Sequence, residues 1–555
     1  MIFEIIEKIT GIERDTKDTG AAGVILYAAD NLLWLAVSFY LVMMGIVLPL
    51  YLPGYSRLGS EKGLFWIKYI GVSGSLLIAA LFFYVLSFLI RLFTDKKKPK
   101  NIKNLFPRKM RIYASDVWAG LFCVSVFISY LLSEDRQISL YGEKGWYLGL
   151  YSYLALGIGV MVISRLRESR NLFPVVIMVG SVLVSVIGIL MDFFGDILHA
   201  EGWSQIRVST LGNPNWFCGY MITVMFTGAA FFILYKSGDS QRDTMIIAAF
   251  VLYIIVTSYM IFTQGSASAY PAICVVILTL LAFAGKDAFK VFKVMIIISL
   301  MALSNLMHSL YVALGGMLRG NDAVGTLLSK PVFAFGLLFV TSLITTYFGT
   351  LVKMGSKTLR VNLGVILGSI FATVTLIYFV LLTVNTVSAS HFLGEGLFYF
   401  DSGWGSSRGT TMRAGFDMLK GMTPLELMFG KGPDSFFSFL MSGRFPETAI
   451  FIDGYFGGAR LTNAHCEPLT MLINAGIAGT VSFYGLLLYV MAGGFKRMKR
   501  LEGMRKITAF ACSLSILAYI INNIFSFQTS VNVSQLALIL GFGAWAALSG
   551  KSEEG

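Results

Sequence analysis

The stretch Phe173–Phe194 reads FPVVIMVGSVLVSVIGILMDFF and carries a single charged residue, Asp192, close to its end. An apolar run of about 18 residues or more can cross the roughly 30 Å hydrocarbon core of a bilayer as a helix. Similar runs recur along the 555 residues, of which 56% are hydrophobic and only 14% are charged. Soluble domains have about a quarter of charged residues. The sequence therefore predicts an all-α polytopic membrane protein.

Fourteen membrane-spanning helices are predicted from these runs. They are expected at residues 32–52, 64–93, 112–132, 146–164, 173–194, 213–235, 244–263, 267–285, 291–315, 331–352, 361–386, 467–494, 507–525 and 531–549. The predicted organisation is an N-terminal bundle of about eleven helices over 1–386, a loop over 387–466, and about three C-terminal helices over 467–555.

The basic residues predict which side of the membrane each loop occupies. Lys96–Arg111 (KKKPKNIKNLFPRKMR) is the densest basic stretch, and the positive-inside rule places such a loop in the cytoplasm. The loops that then fall on the same side are all basic: Arg165–Arg170, Lys236–Arg242, Lys286–Lys293, Lys353–Arg360 and Lys496–Lys506. Both termini are therefore expected in the cytoplasm and the 387–466 loop on the outer face. The net charge of +13 is attributed to topology, and no nucleic-acid partner is expected.

The outer loop from about Val387 to His465 is long for a connection between two spans, and loops of such length are usually functional. Two parts of it, Gly409–Leu419 and Ser435–Met441, are predicted to form short amphipathic helices.

Arginines on the outer face run against the positive-inside rule and need another explanation. The candidates singled out among them are Arg207, Arg408, Arg413, Arg444 and Arg460. The guanidinium group suits pyrophosphate because it donates two parallel charge-assisted hydrogen bonds. A pyrophosphate site at a membrane surface implies a lipid-pyrophosphate ligand, and contact with lipid headgroups is the alternative. The cysteines show no metal-binding spacing, so no cysteine metal site is expected.

Three stretches carry a resemblance to a known family: Arg207–Asn215 (RVSTLGNPN), Arg408–Phe436 (RGTTMRAGFDMLKGMTPLELMFGKGPDSF) and Asn463–Gly479 (NAHCEPLTMLINAGIAG). In this order and around a long outer loop, they resemble the O-antigen ligase and O-antigen polymerase superfamily, which also contains bacterial protein O-oligosaccharyltransferases. Gly145–Leu154 and Asn522–Trp545 give weaker support.

The resemblance implies a fold similar to the C-type glycosyltransferases and an activity without metal or nucleotide. Members transfer a glycan from an undecaprenyl-pyrophosphate carrier to a hydroxyl acceptor. Arg207 and Arg408 are implied to hold the pyrophosphate and to stabilise the charge that develops on it. His465 is implied to lie near the acceptor as a general base or an orienting hydrogen-bond partner, and its ordinary pKa of about 6.5 suits that role.

Six further residues are substrate-binding candidates: Arg413, Asn213, Asn215, Asp434, Arg460 and Glu467. The two asparagines, like Gly430, Gly432 and Pro433, are expected to shape turns, and the GNPN turn would present Arg207. The two carboxylates are expected either to bind sugar hydroxyls or to be solvated loop residues. The sequence departs from the family at Cys466, where Asn is usual, at Met412, where an aromatic residue is usual, and at Thr263–Tyr270, which lacks a Ser-Arg pair.

The predicted function is an inverting glycan transfer at the outer face of a bacterial plasma membrane, in the assembly of a cell-envelope polysaccharide. The acceptor is left open among a glycan, a lipid or wall component, and a protein. The alternative is a transporter or flippase of lipid-linked glycans, which would place charges deep within spans or break helices in matching halves. Asp116 and Asp192 lie close to the ends of predicted spans and are expected to be solvated.

Overall fold

The computed structural model describes residues 7, 10, 12, 20–52, 59–94, 112–165, 172–195, 197–198, 208–236, 238, 240–318, 323–388 and 390–548. Every regular element among these residues is a helix. In chain order the helices are α1 (Ala21–Leu50), α2 (Gly59–Thr94), α3 (Ala114–Leu132), α4 (Arg136–Tyr141), α5 (Leu150–Ile163), α6 (Leu172–Phe194), α7 (Pro214–Leu234), α8 (Gln241–Gln264), α9 (Ala269–Ala284), α10 (Ala288–Ala313), α11 (Ala323–Leu328), α12 (Pro331–Lys353), α13 (Leu363–Val387), α14 (Trp404–Lys420), α15 (Pro424–Phe429), α16 (Phe436–Leu440), α17 (Pro446–Phe456), α18 (Glu467–Arg497), α19 (Gly503–Asn523) and α20 (Ser530–Leu548).

Twelve helices in the described part of the chain are long and apolar enough to cross a bilayer, so the protein is a polytopic α-helical membrane protein. The predicted spans 146–164 and 267–285 correspond to α5 and α9, which are also apolar but have only 14 and 16 residues. At 1.5 Å per residue they measure about 21 and 24 Å, less than the hydrocarbon core. Two left-handed turns, with Tyr147 at φ 53° and Gly265 at φ 61°, precede them and explain their late starts.

The first span begins earlier than predicted, at Ala21 instead of residue 32. Asp30 and Asn31 interrupt the apolar run just before the predicted start. Both are half-buried in the helix pair that α1 forms with α2. The Tyr84 hydroxyl donates to the Asp30 carboxylate, and the Asn31 amide donates to the carbonyl of Tyr27 at 2.8 Å. The hydrogen bond from Tyr84 lowers the cost of holding the Asp30 carboxylate between the two helices.

The helices differ strongly in how far they are enclosed. In the most apolar 18-residue segment of each helix, 94% of the residues are buried in α7 and 100% in α20, but only 17% in α12 and 6% in α13. Helices that are apolar on all sides belong at the centre of a bundle or in lipid. Helices from after the long loop pack among those from before it, with α18 against α3, α19 against α7 and α20 against α5. Segments 1–386 and 467–555 therefore pack together.

Two aspartates that were expected to be solvated are buried. Asp116 forms an ion pair with Arg165 at 2.7 Å and also accepts from the backbone N–H of Tyr113. Asp192 is 2% exposed, beside Tyr311, whose hydroxyl donates to its backbone carbonyl. The expectation was wrong for both, because the neighbouring helices cover the ends of α3 and α6.

The loop of residues 388–466 contains both predicted short helices, as α14 and α16, and two that were not predicted, α15 and α17. The unpredicted helices each begin with a proline, Pro424 and Pro446, at a position where the missing N–H costs nothing. A hydrophobic cluster of its own, which includes Met418, Phe436 and Ile473, packs this loop onto the first turns of α18. The loop is thus an ordered cap on one end of the bundle.

Candidate functional site

Arg408 lies in a strained part of the cap. The three residues before it, Gly405, Ser406 and Ser407, all have left-handed backbones, with φ of 61°, 61° and 70°. Serines in this conformation cost free energy and concentrate at functional sites. The side chain of Arg408 is 7% exposed, and its Nε donates to the Phe525 carbonyl at 2.7 Å, while Nη1 donates to that of Gly405 at 2.5 Å. The guanidinium is therefore fixed in one orientation.

His465 is also held in a left-handed conformation, with φ 50°. Its backbone N–H donates to the Asn463 side-chain oxygen at 3.0 Å, and its ring meets the ring of Phe527 edge-on at 4.8 Å. The Nδ1 atom is buried and has no hydrogen-bond partner. Burial, together with the positive charge of Arg408, lowers the pKa of His465 to about 4. The imidazole is therefore neutral at physiological pH, and its basicity is lower than the sequence suggested.

Two connections hold Arg408 and His465 next to each other. The Thr411 hydroxyl, one turn beyond Arg408, donates to the carbonyl of Ala464 at 2.9 Å. The second connection is the turn between α19 and α20, which supplies both the carbonyl that binds Arg408 and the aromatic ring that packs on His465. Two of the three residues predicted to be catalytic are thus brought together from positions 57 residues apart in the sequence.

Arg207, the third, lies outside the described residues, but the turn that follows it is described. Asn213 caps α7 by accepting from the Asn215 N–H at 2.8 Å, and Pro214 occupies the first helical position. The Asn215 side chain accepts from the Ser266 hydroxyl at 2.7 Å. The prediction that these two asparagines form a turn is confirmed.

Helix α18 is broken at Gly476, about two and a half turns into its length. Gly476 has φ 66° and ψ −173°, which releases carbonyls from the helical hydrogen-bond pattern. Two of them are taken up by the cap, since Lys431 N–H donates to Ile473 O at 2.9 Å and Gly432 N–H donates to Asn474 O at 3.0 Å. The predicted Gly-x-Gly-Pro turn of the loop is therefore bound to the break in the helix.

That turn requires its glycines. Gly430 and Gly432 have φ of 83° and 117°, as expected of turn formers. A Cβ atom on Gly430 would lie 2.3 Å from the carbonyl oxygen of Asn474, and one on Gly432 would lie 2.2 Å from the Ser139 hydroxyl. Only glycine permits this close approach of the backbones.

Asp434 follows this turn and is buried, so the idea of a solvated loop carboxylate is wrong. Its Oδ2 accepts from the backbone N–H groups of Glu143 at 2.7 Å and Leu148 at 3.2 Å, and its φ is 57°. Burial raises the pKa of Asp434 to about 7, and the charge of Glu143 adds to the rise, against the two hydrogen bonds, which lower it. This carboxyl connects the cap to the turn before α5.

Glu467 is likewise buried, at 1% exposure, and the solvated alternative is wrong here too. Its carboxylate accepts from the Tyr519 hydroxyl at 2.8 Å, from the Gln528 amide at 2.8 Å and from the Asn523 amide. Gln528 has a fixed orientation because its oxygen accepts from Tyr153 at 2.8 Å. The first residue of α18 is therefore tied to α19 and to the turn after it.

The remaining predicted arginines are exposed and paired elsewhere. Arg413 donates to the carbonyl of Phe400, and because it follows Arg408 by five helical residues it points about 140° away from it. Arg460 pairs with Glu143. Arg444 lies 3.0 Å from Glu426. None of these three contacts is with Arg408 or His465.

Sequence reasoning missed a buried cation, Lys431, which is 4% exposed in its side chain. Its ammonium group lies 2.8 Å from Glu426 and also pairs with Glu134. Burial alone would raise the pKa of Glu426, but hydrogen bonds from Lys431 and Thr423 outweigh it and lower the pKa to about 2. The capping-box spacing of Thr423 and Glu426 was a readable signal for part of this arrangement.

Aromatic residues were also missed. Trp146 packs edge-on against Trp216 and Phe527, with ring centroids 5.4 and 5.3 Å apart. Trp146 lies in the stretch Gly145–Leu154, directly after a glycine, and Trp216 directly follows the GNPN turn. Together with His465, they form a continuous aromatic wall on the cap side of the bundle.

No family model matches the chain, and no curated protein matches it. Within the described residues no group of three or more histidine, cysteine, aspartate and glutamate side chains is placed to hold a metal ion. The arrangement around Arg408 and His465 can bind an anion and can accept a hydrogen bond or a proton.

Proposed function

We propose that the protein is a membrane glycosyltransferase of the O-antigen ligase and polymerase type. It would transfer a glycan from an undecaprenyl-pyrophosphate carrier to a hydroxyl acceptor, at the outer face of a bacterial plasma membrane. The proposal rests on two neighbouring buried groups. One is the oriented guanidinium of Arg408, and the other is the Nδ1 atom of His465, which has no hydrogen-bond partner. The cap around them is the segment that resembles the superfamily.

Arg408 would act on the leaving group. As the bond between the anomeric carbon and the pyrophosphate oxygen breaks, its electron pair passes to the pyrophosphate. A guanidinium that is fixed beforehand stabilises this charge without reorganising, and one such donor is typically worth about 100- to 1000-fold in rate. The fixed contacts to Phe525 and Gly405 supply this preorganisation. Arg207, in the preceding motif, would be the second arginine.

His465 would act on the acceptor. The acceptor hydroxyl oxygen forms the new bond to the anomeric carbon from the side opposite the leaving group, which inverts the configuration. Its proton moves to Nδ1 of His465 or stays hydrogen-bonded to it until the solvent removes it. A neutral imidazole is required for either role, and burial beside Arg408 keeps it neutral.

The membrane arrangement belongs to the same proposal. Fourteen spans, with α5 and α9 as short ones, and a fold like the C-type glycosyltransferases would place the cap outside and both termini inside. The positive-inside rule supports this orientation. The acceptor would be a glycan or a lipid carrying a free hydroxyl, with membrane lipid around the bundle, no nucleic acid, and no metal or cofactor in the transfer step.

Transport of a lipid-linked glycan is the competing function, and one observation favours it. Broken helices such as α18 often form the substrate and ion sites of transporters. In this protein the carbonyls of Ile473 and Asn474 that the break releases are already bound by the cap. A break that anchors a loop serves the transferase equally well, and the buried Arg408 and His465 are the reason for preferring the transferase in this proposal.

The test is reconstitution of the purified full-length protein into vesicles with a polyprenyl-pyrophosphate oligosaccharide and a glycan acceptor, without added nucleotide or metal. Products are resolved by gel and mass spectrometry. We expect transfer by the wild type and a loss of at least about 100-fold in Arg408→Ala and His465→Ala. Lys420→Ala, on the exposed face of the same helix, and His391→Ala, in the same loop, are the matched controls and should keep full activity.

A labelled donor in the same vesicles distinguishes the two functions. If the wild type moves the label between leaflets and forms no product with a cognate donor, the protein is a transporter. If the two controls lose as much activity as the two site variants, Arg408 and His465 have no special role and the proposed site is wrong.

A further inference from the structure

A small cavity lies between the cap and the bundle, next to the candidate site, and shares Phe527 and Asn463 with the surroundings of His465. It measures about 20 Å³, and residues from the cap, α18 and the turn before α20 line it, among them Asp434, Glu467, Asn474 and Thr462. A space of this size holds about one water molecule or one ion. A sugar ring does not fit, so the two carboxylates do not bind a substrate in this conformation.

The hydrogen bonds around Glu467 favour its ionised form. Tyr519, Asn523 and Gln528 all lie within hydrogen-bond distance of the carboxyl group. The donating role of Gln528 is settled by Tyr153, which occupies the amide oxygen. The two amide nitrogens can only donate, whereas the Tyr519 hydroxyl can donate to a carboxylate or accept from a protonated carboxyl. This carboxyl group forms part of the cavity wall.

Asp434 adds a second carboxyl group with an oxygen to spare. Both of its backbone hydrogen bonds go to Oδ2, which leaves Oδ1 for the cavity. Within the described part of the chain, no lysine or arginine forms an ion pair with Asp434 or Glu467. A carboxylate that is buried without a cationic partner is costly, and a bound cation removes that cost.

Asn474 supplies the independent sign that the cavity has an occupant. The residue is 2% exposed and lines the cavity, and its side-chain Oδ1 is buried with no hydrogen-bond partner. The backbone carbonyl of the same residue accepts from Ser129 and Gly432, so the peptide is fixed. An orphaned amide oxygen beside two carboxylates is a ligand set that hard cations prefer.

We infer that Asp434, Glu467 and Asn474 form a buried binding site for one hard metal cation that is coordinated by oxygen atoms. Ca²⁺ fits the charge of two carboxylates, and Na⁺ offers the same ligand chemistry with one charge fewer. Mg²⁺ fits less well because it holds its own waters in a rigid octahedron. The ion joins the cap to the break in α18 and takes no part in the transfer step. The site can therefore be tested independently of the proposed activity.

The spacing of the three ligands explains why sequence patterns miss the site. Asp434 belongs to the cap, whereas Glu467 and Asn474 are seven residues apart, about two helical turns, on α18. Only two of the three are carboxylates, and the third is an amide. A search for clustered acidic or histidine residues does not find such a set.

The test uses purified full-length protein in detergent, stripped with a chelator and kept in choline chloride. Thermal unfolding is followed by tryptophan fluorescence while CaCl₂ or NaCl replaces choline chloride at constant ionic strength. We expect a saturable rise of the unfolding midpoint by about 2 °C or more with one of the two ions, and a smaller effect of MgCl₂. Equilibrium dialysis with ⁴⁵Ca²⁺ should give one ion per chain if Ca²⁺ is the ligand.

Variants locate the ion. Asp434→Asn should abolish the cation-dependent rise, whereas Asp453→Asn, an exposed aspartate of the same loop, should retain it. Asn474→Asp adds a third carboxylate and should lower the half-saturating concentration by about tenfold. If Asp434→Asn does not fold, the wild-type titration and Asn474→Asp still decide the question.

Three results would overturn the inference. The first is a wild-type midpoint that no cation changes but that rises as the pH falls from 8 to 6, which would mean a protonated carboxyl pair. The second is a midpoint insensitive to both cations and pH, which would mean a buried water. The third is a cation effect that persists in Asp434→Asn, which would place the ion elsewhere. None of these readouts uses a glycan donor, so they leave the proposed activity untouched.

Discussion

Two groups of charged residues in the cap and at its contacts with the bundle are built in opposite ways. The paired cluster consists of Glu134, Glu426, Lys431 and Arg444, in which each charge lies next to an opposite one and the outer members are exposed. The buried cluster consists of Arg408, Asp434, His465 and Glu467, which are enclosed and bound mainly by neutral groups. The paired cluster stabilises the cap, whereas the buried cluster costs free energy to assemble.

Backbone strain separates the two clusters in the same way. Asp434 and His465 have positive φ angles, and Ser406 and Ser407 lead directly into Arg408 with positive φ angles. No member of the paired cluster has a left-handed backbone. Strain at several positions of one small region persists only where the rest of the fold enforces it, and such regions are usually functional. The comparison therefore supports the proposal that the buried cluster is the functional one, whereas the paired cluster has the features of a stabilising one.

The largest effect should come from Arg408→Lys. Lysine keeps the charge but cannot donate from two fixed nitrogens to the carbonyls of Phe525 and Gly405 at once, so the cation loses its orientation. We expect the rate of glycan transfer to fall by about 100-fold with little change in the unfolding midpoint. Lys420→Arg on the same helix is the control. A rate within a few-fold of the wild type would show that only the charge of Arg408 matters.

Gly476→Ala should come next, through stability. A Cβ atom there would lie 2.4 Å from the backbone of residues 428 and 429, and the φ of 66° is unfavourable for alanine. We expect a loss of about 3 kcal/mol, seen as a lower unfolding midpoint and release of the cap. Gly454→Ala is the control, since its added methyl group meets nothing within 4 Å in α17. Equal midpoints for the two variants would contradict the anchoring role of the break.

The pH dependence of transfer should be shallow near neutrality. Because the pKa of His465 is lowered to about 4, the imidazole is already neutral well above that pH and becomes protonated only as the pH falls through it. We expect a transfer rate constant within about twofold from pH 6 to pH 8, with a decline near pH 4. An initial-rate profile with the cognate donor measures this. A decline centred near pH 6.5 would mean that the ring is solvated and not buried beside Arg408.

The smallest effect should come from the paired cluster. Arg444 is 39% exposed in its side chain and lies at the outer edge of the ion pairs with Glu426 and Glu134. Exposed pairs contribute less than about 1 kcal/mol, and Arg444→Ala should therefore change the unfolding midpoint only slightly and leave transfer within about twofold. A loss comparable to that of Arg408→Lys would remove the distinction between the two clusters.

The sequence predicted the helical class and the positions of nearly all apolar helices. A long apolar run crosses the hydrocarbon core as a helix, because its backbone groups must form hydrogen bonds with each other there. It failed where a polar residue was paired by a partner far away in the chain. The predicted first helix began after Asp30, whose partner Tyr84 lies on the next helix. Asp116 was expected in water for the same reason, since Arg165 is 49 residues away.

The candidate site shows the same division. Turn residues such as Asn213 and Gly430 were predicted correctly, because capping and positive φ are local properties. The burial of Asp434 and Glu467 could not be predicted, since it depends on backbone groups and side chains from other helices. Arg413, Arg444 and Arg460 show that residue type alone does not identify a pyrophosphate site. A guanidinium group that suits pyrophosphate also suits a glutamate or a backbone carbonyl.

The turn between α19 and α20 has a consequence for how variable this protein can be. Its Phe525 carbonyl sets the position of Arg408, and its Phe527 ring sets that of His465. A small shift of the last two helices therefore displaces both groups in the same direction and preserves the spacing between them. Related chains can then tolerate many changes in those helices, as long as the turn itself keeps its length.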